Sequence, residues 1–205
     1  IQTLGKFRIG WDNQQPIKWR TEKTKELFLL MLYYKNRIMT KEELLEILWP
    51  DQNPEKAVHQ LYNGIYYIRK TLAEYGIDRS MIMIDSSYTL KLDGITLDKD
   101  QFIKSAKNYR NLSADQLLTL ESTYAGDYLE GEDYPWADLE RESLSNLHLQ
   151  VLARLSEALM ERQDYTKAEE LLLKGYNKNP YEDVITELLI RLYTLTGEKN
   201  KAAFH

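Results

Sequence analysis

The stretch NPEKAVHQLYNGIYYIRKTL, residues 53–72, restricts the fold of this chain more than any other. Asn53 suits the position that caps the free amides of a helix start, and Pro54 suits the first helical position. At ~100° per residue, Leu61, Ile65, Ile68 and Leu72 fall within one narrow arc, flanked by the small residues Ala57 and Gly64. A long helix with a single core-facing stripe is therefore predicted, ended by Gly76. Its opposite side carries Lys56, His59, Asn63, Tyr66, Tyr67 and Lys70, with Gln60 and Arg69 at the edges. No carboxylate occurs between Glu55 and Glu74, although the chain holds 32 acidic against 27 basic side chains. Cations on that face would meet phosphates, Asn, Gln and His would meet base edges, and Tyr would meet phosphate or a thymine methyl. The plain alternative is a helix whose outer face is simply solvated.

The neighbouring segments give this helix a setting. Phe7, Ile9 and Trp11, then Ile17 and Trp19 across a DNQQP turn, alternate with period two and predict a strand pair. A helix follows over about 21–34. Thr40 with Glu43 three residues on forms a capping box before KEELLEILW, which Pro50 stops. After the long helix, MIMIDSSYTLKL predicts a β-hairpin, with Ile82 and Ile84 facing Tyr88, Leu90 and Leu92 across a Ser86–Ser87 turn. Short helix, turn, long polar-faced helix and hairpin make up a winged helix–turn–helix.

From Asp98 onward the pattern is helical, with helices near 100–110, 114–125, 137–162, 166–178 and 182–195. DYTKAEELL at 164 aligns with EKNKAAFH at 198, an offset of 34 that also sets Val151 over Ile185, Leu155 over Leu189 and Leu159 over Tyr193. That period is the tetratricopeptide (TPR) spacing, whose units stack to form an extended surface. The expected fold class is mainly α with small β elements: a winged helix over residues 1–98, then an all-α TPR-like domain over 99–205. Charge follows the same division, +1 in the first part and −6 in the second. A start on Ile1 without Met is read as the mark of an excised fragment or a processed chain, and an end just as another helix opens as a mark of truncation.

Composition excludes several classes. Apolar residues make up 43% and charged residues 29%, as in ordinary globular proteins, and the 15 Tyr suit half-buried positions and partner surfaces. No Cys is present, so there is no disulfide or thiolate metal site, which fits a cytoplasmic location. The longest apolar run, LFLLMLYY from Leu27, is too short to cross a bilayer and predicts a buried helix, with no membrane partner. His148 and His205 stand alone in the sequence, and no spacing offers a metal site. Glu140 and Glu142 point to different helix faces and no phosphate-binding GxxxxGK[ST] loop occurs, so neither an enzyme nor a cofactor is expected. Trp49 reads as a core residue at a helix stop, Lys23 and Lys25 as solvated, and Trp136 as an anchor for helix packing.

KELFLLMLYY, TKEELLEILWPD and LYNGIYYIRKTL, followed by a hairpin with Tyr88, resemble the OmpR/PhoB-type winged helix. DKDQF, YAGDYLEGEDYPWADLERESL and the repeat-like tail resemble the bacterial transcriptional activator domain that follows it in SARP-type regulators. The resemblance covers essentially the whole chain. It implies a sequence-specific activator that binds double-stranded promoter DNA at direct repeats, self-associates side by side and contacts RNA polymerase. A receiver or other regulatory domain often accompanies such a unit, as in two-component systems. The DNA-reading helix would be 53–75, with contacts near His59, Gln60, Asn63, Tyr66 and Tyr67, supported by Lys56, Arg69 and Lys70. Relatives often carry Arg where this chain has Tyr66 and Tyr67. The wing tip DSSY lacks their Gly and Arg, which leaves Ser86, Ser87 and Lys91 to meet the DNA backbone. The alternative is a protein-interaction scaffold, with a peptide-binding TPR-like surface and a winged helix that binds no DNA.

Overall fold

The computed structural model describes residues 1–9, 17–74, 76, 82–84, 87–90 and 94–202. They form two compact units. The first comprises Arg8–Thr96 with Ile1 and the segment Glu132–Asp138; the second comprises Gln2–Phe7, Leu97–Gly131 and Leu139–His205.

The first unit is built on α1 (Glu22–Tyr33), capped by Thr21, whose hydroxyl accepts from the Thr24 amide at 3.1 Å. Every residue from Leu27 to Leu32 is buried, so the second half of this helix is apolar on all sides and lies inside its unit. It is covered by α2 (Lys41–Leu48), α3 (Pro54–Glu74) and the strand β3 (Ser87–Leu90). The capping box at α2 is complete: Glu43 N donates to Thr40 Oγ1 at 3.1 Å, and Thr40 N donates to Glu43 Oε2 at 2.7 Å. The Thr40 amide and then Arg37, 2.6 Å away, hold the Glu43 carboxyl below its usual range.

The sheet has three antiparallel strands in the order β1 (Met39–Thr40), β3, β2 (Ile82–Ile84). Ile82 pairs with Leu90 and Ile84 with Tyr88, the expected hairpin register, while Leu92 lies outside the described residues. Ser87 does not form the hairpin turn, contrary to the sequence reading. It belongs to β3 and pairs with Thr40, because β3 is the central strand and β1 claims its other edge.

The strand pair expected at the start is not seen among the described residues, and Trp11 and the DNQQP turn fall outside them. Trp19 instead rests on Phe28, with ring centroids 5.0 Å apart. Residues 2–7 belong to the second unit. Thr3 and Leu4 donate their backbone amides to the Asp98 carboxylate at 2.7 and 2.8 Å, and Leu4 bridges Tyr128.

That second unit is helical: α4 (Asp98–Ala106), α5 (Ala114–Ser122), α6 (Asp138–Glu161), α7 (Tyr165–Lys178), α8 (Asp183–Thr196) and α9 (Lys199–Ala202). Asp164 caps α7, and Gly197, in the left-handed region at φ 79°, ends α8. Three of the pairs matched at an offset of 34 are buried on both sides: Val151 and Ile185, Leu155 and Leu189, Leu159 and Tyr193. Successive helix pairs thus use equivalent positions for stacking, which makes the arrangement TPR-like. Gly175 admits α8 to close range, since a Cβ there would stand 3.1 Å from Ile185 Cδ1.

Candidate nucleic-acid interface

The candidate face lies on α3, and its orientation follows from what the helix buries. Ala57, Leu61, Gly64, Ile65, Ile68, Thr71 and Leu72 turn inward. Gly64 allows α1 to approach: a Cβ there would lie 2.8 Å from Leu27 Cδ2. Asn53 Oδ1 accepts from the amides of Glu55 and Lys56 at 3.0 and 3.3 Å, which sets the helix start. The connection from α2 is short, with Trp49 N donating to Leu45 O and Gln52 N to Trp49 O.

With the stripe buried, Lys56, His59, Gln60, Asn63, Tyr66 and Lys70 are exposed together on one side. Tyr67 and Arg69 are half-buried, so two of the expected contact residues sit at the margin of the face. Tyr67 is engaged by its neighbours: the Arg20 guanidinium lies 5.7 Å from its ring centroid and Tyr66 meets it edge-on at 5.2 Å. Tyr62, which the sequence reading omitted, is 52% exposed and borders the face one turn before Tyr66. Its place on the wheel, between stripe and outer arc, was the available signal. Ser86 and Lys91 fall outside the described residues, and Ser87 is half-buried in β3.

Several other candidates take structural places. Trp49 is buried, as a core residue should be. Lys23 donates to Leu48 O at 3.1 Å and pairs with Glu26 at 2.6 Å, so it ties α1 to the end of α2 while its side chain stays 43% exposed. Lys25 is partly buried, which works against its charge. Glu132 at 2.7 Å and Glu22 at 2.9 Å outweigh that and hold it above the ordinary lysine value. Trp136 donates to Glu26 at 3.4 Å and stacks on Tyr134, with ring centroids 5.4 Å apart, an anchoring role. Glu140 is paired with Lys99 at 2.5 Å, while Glu142 is exposed. No group of His, Asp and Glu that could hold a metal ion occurs among the described residues, and no described helix is long and apolar enough to cross a membrane.

His148, alone in the sequence, is not alone in the fold. It is buried in the second unit, stacked on Tyr124 at 3.9 Å, with Glu121 Oε1 3.9 Å from Nε2. Lys174 pairs with Glu121, and Lys178 with Asp127. Burial, then Lys178 and Lys174, depress the His148 pKa below 6.5, against the pull of Glu121. His148 beside it, and Lys174, bring Glu121 down from 4.5 to about 2 despite its own burial. The unfolded chain therefore binds more protons than the folded one as pH falls through 6.5, and again from 4.5 toward 2, so stability drops in both windows. Thermal melts at pH 7.5 and 5.5 are expected to show a lower midpoint at the acid value. A His148→Phe variant should lose most of that difference; an unchanged difference would mean other groups cause it.

No family model matches the chain. It is similar to the transcriptional regulatory protein MoaR1 of Mycobacterium tuberculosis (strain ATCC 25618 / H37Rv), 23% identical over 208 residues. The match covers 87% of this chain and 67% of that protein, and the same holds for MoaR1 of Mycobacterium bovis (strain BCG / Pasteur 1173P2). Among solved structures it resembles Mycobacterium tuberculosis EmbR, in complex with a low affinity phosphopeptide, with a TM-score of 0.82 at 19% identity. That match covers 98% of this chain and 56% of the EmbR chain, so this chain spans little more than half of that length. Along most of its residues the chain is thus similar in sequence to a transcriptional regulator, and along nearly all of them in fold to EmbR.

Proposed function

We propose that this chain is a SARP-type transcriptional activator unit that inserts α3 into the major groove of promoter DNA. The observation that carries this reading is the exposed face of α3. It is free of carboxylates between Glu55 and Glu74 and stands on the last helix of a helix–turn–helix backed by a three-stranded sheet. A helix of 21 residues, ~31 Å long at 1.5 Å per residue, is long enough to cross the major groove, which is ~12 Å wide. Similarity to MoaR1 supports the regulatory role. Self-association on direct repeats, contact with RNA polymerase and control by a receiver or other domain complete the proposal; the acidic helical unit would provide those contacts. The wing would meet the DNA backbone through Ser86 and Ser87.

Titration of promoter duplexes against salt tests it. Log affinity should fall linearly with log salt, by roughly 0.9 for each phosphate contacted. Lys56→Gln with Lys70→Gln should reduce that slope by up to about 1.8 at unchanged fold. Absence of binding at low salt would sink the reading.

The scaffold alternative has one observation in its favour. A groove of about 520 Å³ in the second unit is lined by Tyr109, Arg110, Gln150, Arg154, Glu182 and Val184. Peptide capture there, with no duplex bound at low salt, is the result that would favour it.

A further inference from the structure

The exposed face of α3 also has an order along its axis, and that order bears on which bases it reads. Its two exposed Lys or Arg residues are Lys56 and Lys70. Position 56 and position 70 are separated by ~21 Å along the helix, more than the ~12 Å width of the major groove. Between them the exposed side chains are His59, Gln60, Tyr62, Asn63 and Tyr66. Asn63 stands midway. Tyr62 and Tyr66, 52% and 60% exposed, stand one turn apart beside it. The guanidinium of Arg20 lies over the Tyr67 ring at the margin, and Arg69 is half-buried. The centre of the face therefore presents amides, an imidazole and two phenols, with its cations at the two ends.

Base edges distinguish such a centre from an arginine-rich one. Guanine shows two acceptors, N7 and O6, which call for the paired donors of Arg or Lys. Adenine shows an acceptor beside a donor, the complement of an Asn or Gln amide, and thymine adds a methyl that favours apolar contact. We infer that α3 reads A·T pairs at the centre of its half-site, Asn63 bonding to adenine and Tyr62 with Tyr66 covering thymine methyls. Lys56 and Lys70 then hold phosphates on either side. This specificity rests on the DNA-binding reading above and goes beyond it, since a DNA-binding helix of the same charge could as well select G·C.

Selection from a pool of random duplexes by the whole chain at low salt tests both. Enrichment of A·T pairs at the centre is expected, and Asn63→Arg should move the enrichment at its position toward guanine. Replacing a contacted thymine by uracil removes one methyl and should weaken binding about four-fold. Tyr62→Ala with Tyr66→Ala should bind the thymine and uracil duplexes equally, at the melting temperature of the parent chain. G·C-centred enrichment, or equal affinity of the parent chain for thymine and uracil duplexes, would overturn the inference while leaving DNA binding intact. Retention of no duplex at all would overturn both.

Discussion

Asn63→Ala combined with His59→Ala is expected to weaken binding to a cognate duplex by roughly 1–3 kcal/mol for each base edge that is no longer read. The melting temperature should hardly move, because both side chains are exposed and neither belongs to the buried stripe. The weakening should appear on the cognate sequence and largely vanish on unrelated DNA, since phosphate contacts carry most non-specific affinity. Equal affinity of parent and double variant, measured at matched salt, would remove these residues from the site.

On the same helix, Leu61→Ala should do the opposite. Leu61 is fully buried, and its truncation leaves a cavity beneath α3 that a close-packed interior fills only in part. The expected cost is about 2–5 kcal/mol of stability in the first unit, a large share of what a small domain has to lose. Denaturant melts would show a lower midpoint at unchanged slope. DNA affinity at a temperature where the variant remains folded should stay near that of the parent chain. A small drop in stability would mean that the stripe is not the main support of α3.

These two variants, with Leu61 two residues from both His59 and Asn63, separate what a helical wheel can tell from what it cannot. The stripe was legible: Leu61, Ile65, Ile68 and Leu72 are all buried, with Gly64 accommodating a neighbour as its size implied. The outer arc was legible at its centre, where His59 and Asn63 are exposed. It blurred at the margins. Tyr67, in the outer arc, is half-buried and Tyr62, nearer the stripe, is exposed, because exposure there depends on which neighbour stands beside a side chain. Arg20 happens to cover Tyr67.

Long-range partners were the larger gap. Residues 2–7, for which the sequence reading offered no partner, find Asp98 and the backbone of 127–130, more than ninety positions away. His148 looked idle and proved to be the centre of a buried cluster. Lys25 looked solvated and pairs with Glu132.

Local signals therefore settled the elements of this protein, while the tertiary structure chose their company. Caps at Thr21, Thr40, Asn53, Ser113 and Asp164 act within three residues, and apolar stripes repeat within one or two turns, so both are written in contiguous sequence. The third strand pairing Met39 with Tyr88, the burial of His148 and the margins of the α3 face depend on groups brought together only when the chain closes on itself. Period and capping carry no record of such partners, because any sufficiently complementary surface could satisfy them.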